Sequence, residues 1–165
     1  MDTLPNLRTE LQQEYETTRK FLELYPEGKN DYAPHEKSMK MMPLATHLAE
    51  IFGWPHFMMT TENLDFASGE YEPTILTDRD GLLQMFEDGY AKSIEKLSNM
   101  DEKDLNGRWS MSMGEQILAR FSKYEAIRHA LNQITHHRAQ LGVYYRLLEI
   151  PLPGSYGPSA DNENF

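Results

Sequence analysis

In four stretches of this chain, apolar residues recur at intervals of three and four, the spacing that gathers them on one face of an α-helix. In the first, Leu4, Leu7, Leu11, Tyr15, Thr18, Leu22 and Tyr25 make one stripe down a helix that stops before Pro26 and Gly28. Glu10, Glu14, Arg19 and Lys20 fall off that stripe, and Glu10, Glu14 and Glu16 read as a solvated face. In the second, Pro43 suits a first helical turn, and Leu44, Leu48, Ile51 and Phe52 form an apolar face that also carries His47. Gly53 and Pro55 should end or kink this helix, with Phe57, Met58 and Met59 continuing it for another turn. Met39, Met41 and Met42 read as gap-filling core.

The third stretch, capped by Asp78 or Asp80, repeats Leu82, Leu83, Phe86, Tyr90, Ile94 and Leu97 and stops at Asn99 and Asp101. A short helical piece from about Gly114 to Phe121 is expected to lead into the last long helix, about Tyr124 to Leu148. That helix turns Ile127, Leu131, Ile134, Leu141, Tyr145 and Leu148 to a core before Pro151, Pro153 and Gly154 end it. No stretch alternates convincingly as a strand. The expected fold is therefore all-α, an antiparallel four-helix bundle with two longer crossovers and a short extra helix before the last long one. Ser38-Met39-Lys40-Met41 and Ser110-Met111-Ser112-Met113 share an S-M-x-M pattern at the openings of the second and fourth helical regions, a hint of a duplicated two-helix unit. Glu62 to Asp78 reads as an excursion over the surface, and the polar tail, about residues 154–165, as a segment that lies on the surface or frays.

The 165 residues, 39% of them hydrophobic, suit one domain with one substantial core. A formal charge of −10 opposes nucleic-acid binding. The absence of cysteine removes disulfides, thiolate ligands and cysteine nucleophiles, so any metal site must use nitrogen and oxygen. Without a signal-peptide pattern at the N-terminus or a bilayer-spanning apolar run, the expectation is a cytoplasmic protein with no membrane partner. There is no Gly-rich phosphate loop and no G-x-S-x-G element.

Three of the six histidines, His129, His136 and His137, fall within nine residues of the last helix. Residues four apart share a face with Cβ atoms ~6 Å apart, so Gln133 and His137 can converge on one ion, as can His129 and Gln133. His129 and His137 are ~12 Å apart along the axis, too far to share a metal. A third ligand from another helix would complete an open three-ligand site, and His47 suits that place. Spacing alone leaves a second reading open, in which these are hydrogen-bonded core or surface histidines.

The segment Asn132-Gln133-Ile134-Thr135-His136-His137-Arg138-Ala139-Gln140-Leu141, followed by Tyr144-Tyr145 and then Pro153-Gly154-Ser155-Tyr156-Gly157-Pro158-Ser159-Ala160-Asp161, resembles the C-terminal signature of the DinB/YfiT-like family. That signature runs H-x-x-x-H-R-[GA]-Q-L, a tyrosine-rich helix end, and P-x-x-Y-G-P-S-A-D. Leu44-Ala45-Thr46-His47-Leu48-Ala49-Glu50-Ile51 and Trp54 resemble the family's first-ligand helix. The resemblance spans nearly the whole chain as a single domain, 1–165. It implies an up-down-down-up four-helix bundle, often dimeric, with a zinc- or nickel-type divalent ion held by three histidines. The first of these maps to His47 and the last to His137, while the middle one maps to Gln133, whose amide oxygen is a weaker and harder ligand.

His129 and Tyr144 are expected to line the pocket, and Arg138 to pair with an acidic residue of a neighbouring helix. The activity implied is a metal-dependent thiol transferase or hydrolase acting on a small molecule, with a low-molecular-weight thiol as one possible partner. There the ion would lower the pKa of a bound water or thiol. The alternative is a non-catalytic bundle, its metal site degenerate at Gln133, that binds a small ligand or serves as a dimeric interaction protein.

Overall fold

A computed structural model describes residues 3–69 and 72–163. Five α-helices, α1 (Thr3–Glu23), α2 (Met41–Ile51), α3 (Trp54–Thr60), α4 (Arg79–Ser98) and α5 (Lys123–Leu147), form the frame. Three strands, β1 (Asn63–Asp65), β2 (Arg108–Met113) and β3 (Gln116–Ser122), form a small sheet in the order β1-β2-β3. The helix starts follow local chemistry. The Asp78 carboxylate accepts from the Gly81 N–H at 2.8 Å to cap α4, and Ser122 with Glu125 closes a capping box on α5.

Side-chain pairings give the direction of each helix. Along α1 and α5, Glu10 meets Arg128, Glu14 meets Arg138 and the Phe21 carbonyl accepts from the Tyr145 hydroxyl, so these two run parallel. Arg8 reaches the Leu97 carbonyl while Tyr15 stacks on Phe86 and Tyr90, so α4 runs against α1. Phe52 packs on Phe86, and Ser93 binds the backbone of Phe52 and His56, so α2 and α3 run with α4. With α2 counted together with its continuation α3, the order is up, down, down, up. The core holds the predicted stripe residues Leu4, Leu7, Leu11, Leu22, Leu44, Leu48, Ile51, Phe86, Ile127, Leu131 and Ile134. Met41 and Met42 are core as expected, while Met39 is exposed.

The all-α expectation fails over residues 108–122. The stretch from Gly114 to Phe121 is a turn followed by strand β3 rather than a short helix, and Ser110-Met111-Ser112-Met113 lies in β2, so the S-M-x-M pattern marks no duplicated helix start. Trp109 is buried and its indole N–H donates to Thr61 Oγ1 at 3.1 Å, which pins β2 to the end of α3. A two-residue turn led by Gly114, at a φ of 60°, closes the hairpin. The excursion also has structure, since Asn63–Asp65 adds to the sheet as a strand parallel to β2.

One further expectation is corrected and another narrowed. Glu14 is not solvated but 5% exposed, joined to Arg138 at 2% exposure, whose guanidinium also donates to Thr18 Oγ1 at 3.0 Å. Over its described residues the tail lies on the surface, as one of the two expected alternatives had it, but is fastened rather than frayed. Tyr156 donates to Glu14 Oε1 at 2.5 Å and lies under the Arg138 guanidinium, and Asp161 binds Arg146 and the Leu152 N–H. Residues 164 and 165 of the predicted tail lie outside the described residues.

The break between α2 and α3 is where α4 comes closest. A Cβ on Gly89 would stand 2.8 Å from the Gly53 nitrogen, so only glycine permits this approach. Ser93 then satisfies the groups freed by the break, donating to the Phe52 carbonyl at 2.6 Å and accepting from the His56 N–H at 3.1 Å.

Removing one member of a buried ion pair leaves the other uncompensated, so Arg138→Ala is expected to lower unfolding free energy by about 3–5 kcal/mol in urea titrations. The double variant Glu14→Leu/Arg138→Met should recover most of that loss. By the same assay, Gly89→Ala is expected to cost about 1–3 kcal/mol, because backbone rather than a flexible side chain blocks the new methyl.

Candidate functional site

His47 on α2 and His137 on α5 come together across the antiparallel α2–α5 contact, with ring centroids 4.7 Å apart and planes 80° apart. Two imidazoles sharing one ion at metal–nitrogen distances of ~2.0–2.1 Å have centroids roughly 5 Å apart, so the spacing fits a shared ion. Each ring also has an oxygen acceptor three residues ahead on its own helix. His137 Nδ1 lies 3.0 Å from Gln140 Oε1, and His47 Nδ1 lies 3.7 Å from Glu50 Oε2. At His137 this hydrogen bond favours the tautomer with its proton on Nδ1 and leaves Nε2 with a free lone pair, the usual arrangement behind a ligating histidine, while the Glu50 carboxylate beside His47 lies beyond hydrogen-bond distance. Burial pushes the His137 pKa down, which keeps the ring neutral and able to bind a cation.

The pair opens on a groove of about 220 Å³, walled by Met39, Pro43, Thr46, Glu50, Pro73 and Thr74. Pro73 and Thr74 belong to the 62–78 excursion, which therefore flanks the histidines. Thr46 Oγ1 is buried in this wall with no hydrogen-bond partner among the described residues, a polar atom available to a bound group. Gln133, one turn before His137 on α5, is half-buried but does not line the groove. Among the described residues no three His, Asp or Glu side chains form a metal-binding group. The donor set at hand is two imidazoles, with an amide oxygen one turn away.

The remaining predicted site residues divide. His129 does not join the pair. Its ring lies between Trp54, 6.4 Å away and parallel, and Phe121 at 5.4 Å, and Trp54 in turn meets His47 edge-on at 5.4 Å. It is therefore one aromatic ring removed from the histidine pair. Tyr144 is not a groove wall either. Its hydroxyl donates to the Met39 carbonyl at 2.8 Å and its ring meets Tyr32, so it fixes the segment that leads into α2. His136 is exposed beside His137.

On the other side of Glu50 is a larger cavity of about 370 Å³, bounded by Gly53, Trp54 and Phe57 from the helices and by Leu64 and Asp65 from β1. Glu50 borders both spaces. Reading the helices alone passed over Glu50 and Gln140, although the sequence carries the signal: each of the two histidines has an acceptor at i+3, His47-x-x-Glu50 and His137-x-x-Gln140.

Comparisons with known proteins agree on the fold. No family model matches the chain, and no curated protein does so by sequence. Solved structures do. A DinB-like protein of Bacillus subtilis superposes with a TM-score of 0.70 at 18% identity, covering 91% of this chain and 97% of that one. A DinB-like protein of Bacillus cereus gives 0.69 at 15% identity, with 90% and 94% covered. A protein of Exiguobacterium sibiricum described as a DinB family member gives 0.67 at 17% identity, with 90% and 93% covered. The chain has the DinB-like fold. Among the described residues no helix is long and apolar enough to cross a membrane.

Burial also lowers the His129 pKa. The unfolded chain then takes up the proton first as pH falls below ~6.5, so folding stability drops on acidification. Chemical denaturation at pH 7.5 and pH 5.5 should show this loss, and it should shrink in His129→Gln.

Proposed function

We propose that the chain is a small-molecule enzyme of the hydrolase or thiol-transferase type, working through a divalent ion of zinc or nickel type held by His47 and His137 with Gln133 as a weak third ligand. The observation that carries this reading is the 4.7 Å approach of two half-buried imidazoles from different helices, each with its Nδ1 beside an oxygen acceptor. A bound ion would supply Lewis acidity, lowering the pKa of a water or thiol beside it. The chain's own residues do the rest. Gln140 fixes the His137 tautomer, Trp54 and the Pro73–Thr74 segment limit access of water, and Glu50 offers a carboxylate at the junction of groove and cavity. A low-molecular-weight thiol is the co-substrate this reading allows. Exposed Val143 and Leu147 on α5 favour a homodimer, which sedimentation would test.

A second reading has one observation in its favour: Gln133, where the DinB signature has histidine, weakens the ligand set. On that reading the bundle binds a small ligand without reaction.

Protein purified without an affinity tag for metals should contain near-stoichiometric zinc or nickel by elemental mass spectrometry, and His47→Ala and His137→Ala should lose it. Gln140→Ala, which touches no ion directly, should lower metal affinity about 10–100-fold. Gln133→His should raise affinity. Absence of metal after incubation with excess Zn²⁺ or Ni²⁺ would overturn the enzyme reading.

A further inference from the structure

The 370 Å³ cavity between the α2–α3 break and β1 has a chemical character of its own. Its volume is at the lower end of small-molecule sites, about 300–1,000 Å³. Trp54 and Phe57 give it two aromatic side chains, and Leu64 an aliphatic one. Among the described residues its ionisable lining is Glu50 and Asp65, both carboxylates, with no Lys, Arg or His on the wall.

Asp65 is held by the fold rather than by a counter-ion. Its Oδ1 accepts the N–H groups of Gly114 at 2.8 Å and Ala67 at 2.9 Å. Those hydrogen bonds keep its carboxyl below the usual range, so it is charged at neutral pH. Glu50 faces His47 at 3.7 Å across the boundary with the groove. Two negative charges and an indole around a partly enclosed space repel anions and attract cations, because an aromatic face carries negative potential that adds to the carboxylates.

We propose that this cavity binds a small organic cation, a primary or quaternary amine borne on an apolar or aromatic body, and that such amines are the substrate class of the neighbouring histidine pair. The assignment as substrate rests on the function proposed above; the binding does not, since none of the cavity's charges comes from a metal. Phosphorylated and carboxylated metabolites are excluded by the same two carboxylates. Glu50 lines both spaces, so an ammonium held at its carboxylate lies at the boundary with the groove of His47 and His137.

The test uses full-length protein treated with a chelator, so that success or failure of the metal reading cannot decide it. Three probes share one body: phenethylammonium, 2-phenylethanol and phenylacetate. Binding is followed by the indole N–H resonances in ¹⁵N spectra, of which the chain's two tryptophans give two: Trp54 in the cavity wall, and Trp109, whose N–H is bonded to Thr61 of the same wall and still reports when Trp54 is replaced. Phenethylammonium is expected to shift the Trp54 signal and to bind at least ~10-fold more tightly than 2-phenylethanol, with no saturable binding of phenylacetate. Glu50→Gln, which keeps the side chain's shape, should erase most of that preference, and Trp54→Leu should weaken all binding. Equal affinity for the amine and the alcohol, preference for the anion, or amine binding untouched by both substitutions would overturn the proposal, as would the absence of binding by every probe. Metal found at the histidines with no amine binding would refute this inference alone; amine binding without metal would refute the metal-dependent reading alone.

Discussion

The buried ion pair between Arg138 and Glu14 is the constraint on which the rest of the molecule is arranged. Two charges withdrawn from water are tolerated only when each is fully answered, and here Thr18, Tyr156 and the Glu14 backbone carbonyl complete the shell. An arrangement with so many fixed donors and acceptors admits one rotation of α5 about its axis. Arg138 is turned inward toward α1, and His137, roughly 100° round the helix, is thereby aimed at α2. The structural charge and the candidate ligand are adjacent residues whose divergent directions follow from helical geometry.

His47 is positioned from the other side by the break at Phe52–Gly53. Proline at residue 55 and glycine at residue 53 end α2 early, and Gly89 lets α4 press against the opening while Ser93 occupies the freed backbone groups. The new helix direction swings Trp54 beside His47 and Phe57 toward the strand region. A single interruption thus serves both spaces of the site, and Glu50, one turn before it, stands between them.

Much of this was legible in the residues. Apolar spacing located the long helices to within a few positions, and the H-R-A-Q-L segment with His47 identified the pair that the fold brings together. The sheet was not legible, because Met, Ser and Leu in short runs fit a strand or a helix equally, and Ile117 is the lone β-branched residue in the two strands that flank the Gly114-Glu115 turn. Glu14 read as surface because periodicity weighs it as polar; its burial depends on an arginine 124 positions away. The tail read as lying on the surface or fraying for the same reason, since Tyr156 finds its partner on the first helix. What local pattern could not give were the pairings between residues far apart in the chain.

Those distant pairings carry a consequence for how the chain is made. Helix α1 leaves the ribosome before the other four helices, with Leu4, Leu7, Leu11 and Leu22 on its inner face, yet its partners in the finished bundle are α4 and α5. Its carboxylate at Glu14 stays without a counter-charge until residue 138 has been added, and without its tyrosine until residue 156. The contact order of this lock is high, and closing a loop of that length precedes any reward from it. Of the five helices, the earliest made is therefore the last to be secured, and the chain must emerge as far as residue 156 before the bundle can close.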